Sequence, residues 1–361
     1  METQTKQALM DKNQKLIDMI IERVKRDFPK DIAIIGLTGS FATGDYHEKS
    51  DLDLIIINNT ERGWEIAETF ILDGVGYDIY CTEWHVRVEN EANLESPMVS
   101  HLLDLQILYC ASPEDAERLQ RYQQRARKRL SEPIGADCLG RAAKNLEHAK
   151  QSFAQLMLEE AIGKARYAAG LMLYDLFNAV VSMNNTYIKR GVKRYLEEIR
   201  TYSYVPKDFE TLYYALIQAQ TIPDIQEAAK AILKATLALH ESMLQELVPR
   251  PQPTSDHLKG TYEELFCNYH NKIIQSTQKQ DVSYAFLTMI GAQAYLDEMT
   301  QEVGTPAFDL LQAFDPEDLT KGEAAFLQAE EKYKAEYDKV GLTVNTFDTL
   351  EELYRHFMNP A

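Results

Sequence analysis

The pattern of apolar and polar positions divides the chain into an alternating first part and a helical remainder. Leu9, Leu16, Ile17, Ile20, Ile21, Val24 and Phe28 predict an amphipathic helix over residues 7–28, which Pro29 stops. Short apolar runs at 32–37, 52–57 and 76–82 predict strands, with helix-like sequence at 62–72 between the second and third. Asn58-Asn59 and Asp73-Gly74 are turn signals. A helical segment is expected over 97–109. After it, Ser112 reads as an N-cap with Pro113 at the first helical position.

Beyond about residue 113 no convincing alternation remains. Residues 137–182 read as one or two long helices and 208–247 as others. Pro249-Arg250-Pro251-Gln252-Pro253 predicts a linker or rigid bend. Helical sequence resumes near 258, with turns expected around Gly304-Thr305-Pro306 and Phe314-Asp315-Pro316. No internal repeat is evident. The organisation is a small domain of strands and helices followed by one or two helical regions.

Composition narrows the partners. A chain of 361 residues has room for two or three domains and a substantial core. No apolar stretch approaches membrane-spanning length, and the polar start Met1-Glu2-Thr3-Gln4-Thr5-Lys6 does not read as a signal peptide. Cys81, Cys110, Cys138 and Cys267 lack metal-ligand spacing, which suits reduced thiols and a cytoplasmic location. The net charge of −18 disfavours a nucleic-acid polymer, whose binding needs a basic stripe, and favours a cationic small molecule.

The chemistry concentrates where an apolar run ends in Gly39-Ser40 and a second opens with Asp51-Leu52-Asp53. Alternate residues of a strand share a face, so Asp51 and Asp53 are expected to project together. Two such carboxylates repel unless a proton or cation neutralises them, and Mg²⁺ is a natural bridge from carboxylates to phosphates. A Gly-Ser turn entering a short helix offers N–H groups and a hydroxyl to a phosphate. A solvated acid pair at a strand edge is the plainer reading; the adjoining turn shifts the balance towards a nucleotide–metal site.

This pattern resembles the DNA polymerase beta-like nucleotidyltransferase superfamily. The resemblance implies an α+β fold: a small mixed-sheet nucleotidyltransferase domain (1–118), a helical-bundle domain (119–250) and further C-terminal helices (251–361). It also implies a third metal carboxylate on a later strand, for which Asp78 in Gly76-Tyr77-Asp78-Ile79-Tyr80-Cys81 is the candidate. Asp51, Asp53 and Asp78 would hold two Mg²⁺ ions, with ATP or another nucleoside triphosphate as co-substrate. Gly39, Ser40 and Thr43 would line the nucleotide site.

A second cluster, Glu160-Ala161-Ile162-Gly163-Lys164-Ala165-Arg166, is similar to one in the aminoglycoside (kanamycin) nucleotidyltransferases. Glu160 and Lys164 are four apart, which puts them on one face if the segment is helical. A surface ion pair is the plain reading, against which mid-helix Gly163 suggests a close approach of ligand or backbone. Carried over, Glu160 would be the general base towards the acceptor hydroxyl and Lys164 a phosphate contact. Thr43 stands where those enzymes have an arginine, and Asp53 where they have a glutamate. The acceptor implied is a small cationic molecule such as an aminoglycoside, a modification associated with antibiotic resistance. A homodimer with shared sites is open, as are nucleotidylation of a protein side chain and an idle nucleotide-sensing module. The basic run Tyr187-Ile188-Lys189-Arg190-Gly191-Val192-Lys193-Arg194 reads as a solvated helix-turn, and the tyrosines around 202–214 as interhelical packing.

Overall fold

Helix α1 (Thr3–Asp27) covers one face of a five-stranded sheet in the computed structural model, which describes residues 3–358. The strands are β1 (Ile32–Leu37), β2 (Leu54–Asn58), β3 (Glu68–Leu72), β4 (Val75–Glu83) and β5 (Gln106–Cys110), in spatial order β3-β4-β2-β1-β5. Only β2 and β4 run parallel; the other neighbours are antiparallel. Helix α2 (Gly39–Thr43) leaves β1. Two single-turn helices, α3 (Glu89–Ala92) and α4 (Ser100–Leu103), lie between β4 and β5.

Alternation along β2 sorts the core. Leu54 and Ile56 join Leu16, Ile20 and Val24 of α1 on one face. Ile55 and Ile57 join Trp84, Leu102 and Leu119 on the other. Each such apolar side chain contributes about 1.5–3 kcal/mol when fully buried. Leu119 belongs to α5 (Pro113–Leu130), whose N-cap is as expected: Ser112 Oγ accepts from the Asp115 N–H at 3.1 Å, with Pro113 at the first turn. The boundary expected at residue 118 therefore falls inside a helix that packs on the sheet.

Two expected helices are partly strands. Residues 61–66 form a 3₁₀ turn and 68–72 become β3; only Ser100–Leu103 of 97–109 is helical before β5 begins. Both strands lie at sheet edges and neither has a buried residue, so the apolar signal that marks a central strand is missing.

The helical part of the first compact unit (Met1–Val248) begins with α6 (Ala136–Leu158) and α7 (Ile162–Met183). Then come α8 (Tyr195–Ile199), α9 (Phe209–Gln218) and α10 (Ile222–Leu247). Leu139, Leu146, Met172, Leu176, Ile225 and Ile232 form its core. Asn185 fixes where the chain goes after α7. Its φ of 43° lies in the left-handed region that Asn tolerates. Its side-chain amide donates to Arg129 O at 2.9 Å and Glu132 O at 3.0 Å, while its oxygen accepts from buried Arg141 at 2.7 Å.

The second unit (Pro249–Ala361) is helical. It comprises α11 (Ser255–Leu258), α12 (Thr261–Leu265), α13 (Asn271–Gln278), α14 (Val282–Glu302), α15 (Leu319–Lys339) and α16 (Leu350–Met358). Leu265, Leu296, Phe326, Tyr333 and Tyr337 form its core. Gly304 (φ 86°) turns the chain where a Cβ would lie 1.9 Å from Pro251 O, so the expected turn there has a steric cause.

Asn185→Ala removes three buried hydrogen bonds and the residue type suited to its backbone. It is expected to destabilise the first unit by about 2–3 kcal/mol, with the Arg141 guanidinium left underpaired. Equilibrium urea unfolding of the full chain checks this, and a change below about 0.5 kcal/mol would contradict the hub assigned to Asn185.

Candidate active site

The end of β1 and the approach to β2 are tied together before any side chain is free to act. Thr38 N–H donates to Asp53 O at 2.9 Å, and the Thr38 hydroxyl donates to the same oxygen at 3.3 Å. The Ser40 N–H donates to the Asp53 carboxylate. Gly39 lies directly against that carboxylate: a Cβ there would sit 1.7 Å from Asp53 Oδ2, and its φ is +68°. Glycine is therefore required twice over, by contact and by conformation.

Asp51, Leu52 and Asp53 precede the strand proper, which starts at Leu54, yet their burial still alternates. Leu52 is buried while Asp51 and Asp53 are exposed to a cleft of about 740 Å³. Gly39, Ser40, Thr43, Asp51 and Asp53 all line it. Removal from water, then the charge of Asp51, push the Asp53 carboxyl above its ordinary value; the Ser40 N–H and Lys193 pull the other way. A carboxylate pair in that condition is chemically suited to a divalent cation.

Thr43 Oγ1 is 3.2 Å from Gly39 O and 3.3 Å from Ser40 O, so its proton is committed within α2. Because the Ser40 N–H serves Asp53, the Ser40 hydroxyl is the group of that residue open to a ligand. Asp78 is not among the residues lining the cleft. The parallel register pairs Leu54 with Ile79, and extending it by one step sets Asp78 beside Asp53 on the same face. Asp78 accepts from Thr69 Oγ1 at 3.0 Å across the β3–β4 hairpin. Among the described residues, no three His, Cys, Asp or Glu side chains converge to hold a metal unaided.

Glu160 and Lys164 do not share a helix face. Residues 159–161 are extended between α6 and α7, so Glu160 lies in a turn and Lys164 in the first turn of α7. The kink arises where α6 ends on a chain folding back as a helical hairpin. Gly163 has open space where a Cβ would point, so no close approach explains it. Arg166 donates to Ala219 O and Gln220 Oε1, each at 3.4 Å. The cleft lies at the other end of α7, whose 22 residues span about 33 Å. Within one chain, the Glu160–Lys164 turn is thus remote from Asp51 and Asp53.

The cleft instead receives the basic run. Helix α7 stops at Met183, and Ile188, Lys189, Arg190, Gly191 and Lys193 line the wall with Asp51 and Asp53. The run begins as an irregular strap over residues 187–191, with a left-handed Gly191 (φ 72°), and ends in a 3₁₀ turn, Val192–Arg194, that leads into α8; it lines a cleft, where its composition suggested a solvated helix-turn. Arg194 closes the edge, its Nη2 lying 3.2 and 3.1 Å from the two Asp45 oxygens and its Nη1 2.6 Å from Glu197. Asp104, also on the cleft, accepts from Tyr187 OH at 3.0 Å.

His101 forms a further wall. Burial, then the Arg87 charge, push its imidazole down to about 4, so it is neutral at physiological pH. Its Nδ1 is hydrogen-bonded to Arg87, which can only donate, so the remaining proton resides on Nε2. Arg87 also donates to buried Glu91 at 2.9 Å, and burial pushes that carboxyl up to about 7. Neither His101 nor Asp104 belongs to a motif, and only the fold brings them to the cleft.

Comparison with known proteins follows the same part of the chain. Residues 17–102 match the family described as a nucleotidyltransferase domain. Among solved structures, the chain has a similarity to a nucleotidyltransferase-like protein from Exiguobacterium sibiricum 255-15, with a TM-score of 0.37 and 11% identity. That match covers 79% of this chain and 91% of the other. No curated protein sequence matches the chain. No helix among the described residues is long and apolar enough to cross a membrane.

The raised Asp53 carboxyl has a signed consequence. Folded chains hold its proton more tightly than unfolded ones, so its ionisation costs stability as pH rises and the cost disappears as pH falls below the carboxylate range. In chelator, Asp53→Asn is expected to melt higher than wild type at pH 7, with the gap shrinking on acidification. Mg²⁺ should raise the wild-type midpoint but not that of Asp53→Asn. Calorimetry from pH 3 to 8 tests this, and a gap that widened on acidification would contradict it.

Proposed function

We propose that the chain, whose residues 17–102 match a nucleotidyltransferase domain, moves a nucleoside monophosphate, AMP from ATP, to a hydroxyl of a small molecule and releases pyrophosphate. The observation that carries this reading is the Asp51–Asp53 pair, latched to Gly39-Ser40 in one cleft with Lys189, Arg190 and Lys193. Anionic groups on one wall and cations on the other suit a metal–triphosphate complex.

Asp51 and Asp53 would hold Mg²⁺, with Asp78 entering through its register beside Asp53. When bound, the two ions would neutralise developing charge on the transferred phosphoryl group and on the leaving oxygens. The Ser40 hydroxyl donates to a non-bridging phosphate oxygen. Lys189, Arg190 and Lys193 supply the cations that Lys164 was expected to supply: the two lysines as point charges on flexible stems, and Arg190 as a planar fork that can take two phosphate oxygens at once. Neutral His101 offers its Nε2–H to a substrate oxygen. Asp104 lines the same cleft and supports a cationic acceptor such as an aminoglycoside, as does the net charge of −18.

A second copy of the chain is the source we propose for Glu160. The turn that carries it is flanked by exposed apolar side chains: Met157 (46%), Leu158 (84%), Ile162 (39%) and Tyr167 (66%). A homodimer that covered this patch would present Glu160 and Lys164 to the partner's cleft, with Glu160 as general base, a contribution of about 10²–10⁴-fold.

Pyrophosphate release from ATP, assayed with a panel of aminoglycosides and neutral polyols, tests the reaction. Asp51→Asn and Asp53→Asn are each expected to lower the rate on the order of 10³-fold, the several kcal/mol that metal-stabilised charge supplies. Wild-type rates from both variants would end the proposal, and AMP appearing only on protein would redirect it to a side-chain acceptor. Mixing inactive Asp53→Asn with inactive Glu160→Gln should restore up to about a quarter of the activity, the fraction of sites with both intact groups if subunits exchange freely. An active Glu160→Gln homodimer would remove Glu160 from the mechanism.

A further inference from the structure

Beside the cleft lies a second cavity, of about 300 Å³, and the two share Lys193 and Tyr195. Half of its lining residues are aromatic. Phe177 packs on Tyr195 with ring centroids 4.9 Å apart and on Tyr213 at 5.6 Å; both Phe177 and Tyr195 are 5% exposed. Tyr213 in turn meets Tyr214 edge-on, at 5.3 Å and 75°. Tyr214 differs from the others: it is 40% exposed and sits on α9 with one neighbour ring.

Charged groups at the margin are already held. Arg200 Nε donates to Glu210 at 2.9 Å, and Glu197 accepts from Arg194 at 2.6 Å. The volume is at the small end for ligand sites and suits one ring system, not a whole nucleotide. Lys193 stands at the junction, close enough to Asp53 to influence its carboxyl. A ligand spanning both cavities would thus be anionic at Lys193 and flat where the aromatic rings line the wall. Lys193 would repel a cationic acceptor at this junction, whereas Arg200 is already paired with Glu210.

Resting on the reading that Asp51, Asp53 and Ser40 hold a triphosphate, we propose that this second cavity takes the base of the same nucleotide, stacked on Tyr214, with the phosphates passing Lys193. Packing between helices explains Phe177, Tyr195 and Tyr213. It leaves the exposed face of Tyr214 unused, and stacking on a base uses it. Stacking tolerates any base, so Tyr214 supplies affinity for a nucleoside without choosing among bases.

Calorimetric titration of the full chain with a Mg²⁺ complex of a nonhydrolysable ATP analogue, and separately with Mg²⁺-tripolyphosphate, tests this. Tyr214→Ala should weaken the ATP analogue roughly 5- to 150-fold and leave tripolyphosphate unchanged, while Tyr214→Phe keeps the ring and binds both as wild type does. Tyr214→Ala binding the ATP analogue like wild type overturns the proposal. So does an equal loss of both ligands, or an effect confined to the KM of the acceptor. The parent reading fails separately, if Asp51→Asn and Asp53→Asn bind tripolyphosphate as wild type does.

Discussion

Everything at the cleft depends on how closely the Asp53 carboxylate lies against the backbone at Gly39. Thr38 grips the Asp53 carbonyl, Ser40 grips the carboxylate, and Gly39 leaves the room for both. Two segments from separate strands are thereby held in one geometry by backbone groups, which have no rotamers to lose. The cost is electrostatic: Asp53 is kept partly dry and beside Asp51, and its ionisation works against the fold. Such strain at a site is typical where a ligand supplies the missing counter-charge.

The opposite wall is built on a different principle. Lys189, Arg190 and Lys193 are carried on an irregular strap, and its course is set from outside by Asn185, which joins α5, α6 and the end of α7 through buried hydrogen bonds. Arg194 then ties the strap to the loop after α2 through Asp45. One wall is thus rigid because its backbone is latched. The other is positioned at its root and pinned at one edge, leaving long cationic side chains free to adapt.

The sequence disclosed what depends on local pattern. Residues 32–37 and 52–57 read as strands because they are central and buried, and Ser112-Pro113 announced α5 through its capping chemistry. The edge strands β3 and β5 were hidden because none of their residues is buried. Gly39, Ser40, Asp51 and Asp53 were legible as a motif within one strand–turn–strand unit. Lys189, Arg190 and Lys193 were not, since a basic run looks the same in solvent as in a cleft. The shared face of Glu160 and Lys164 was misjudged for the converse reason: a four-residue spacing implies a shared face only inside a helix, and the chain breaks helix between them.

The pairing of Asp45 with Arg194 spans 149 residues. A ribosome extends the chain from amino to carboxyl end, so the acid half of the cleft emerges and folds long before its basic half exists. In that interval Asp51 and Asp53 stand without Lys189, Arg190 and Lys193 opposite them. The complete cleft is thereby withheld from the nascent polypeptide until the segment carrying Arg194 has docked. Loop-closure entropy makes this late, long-range contact a slow one, so completion of the cleft doubles as a record that the strands and the segment after α7 have come together.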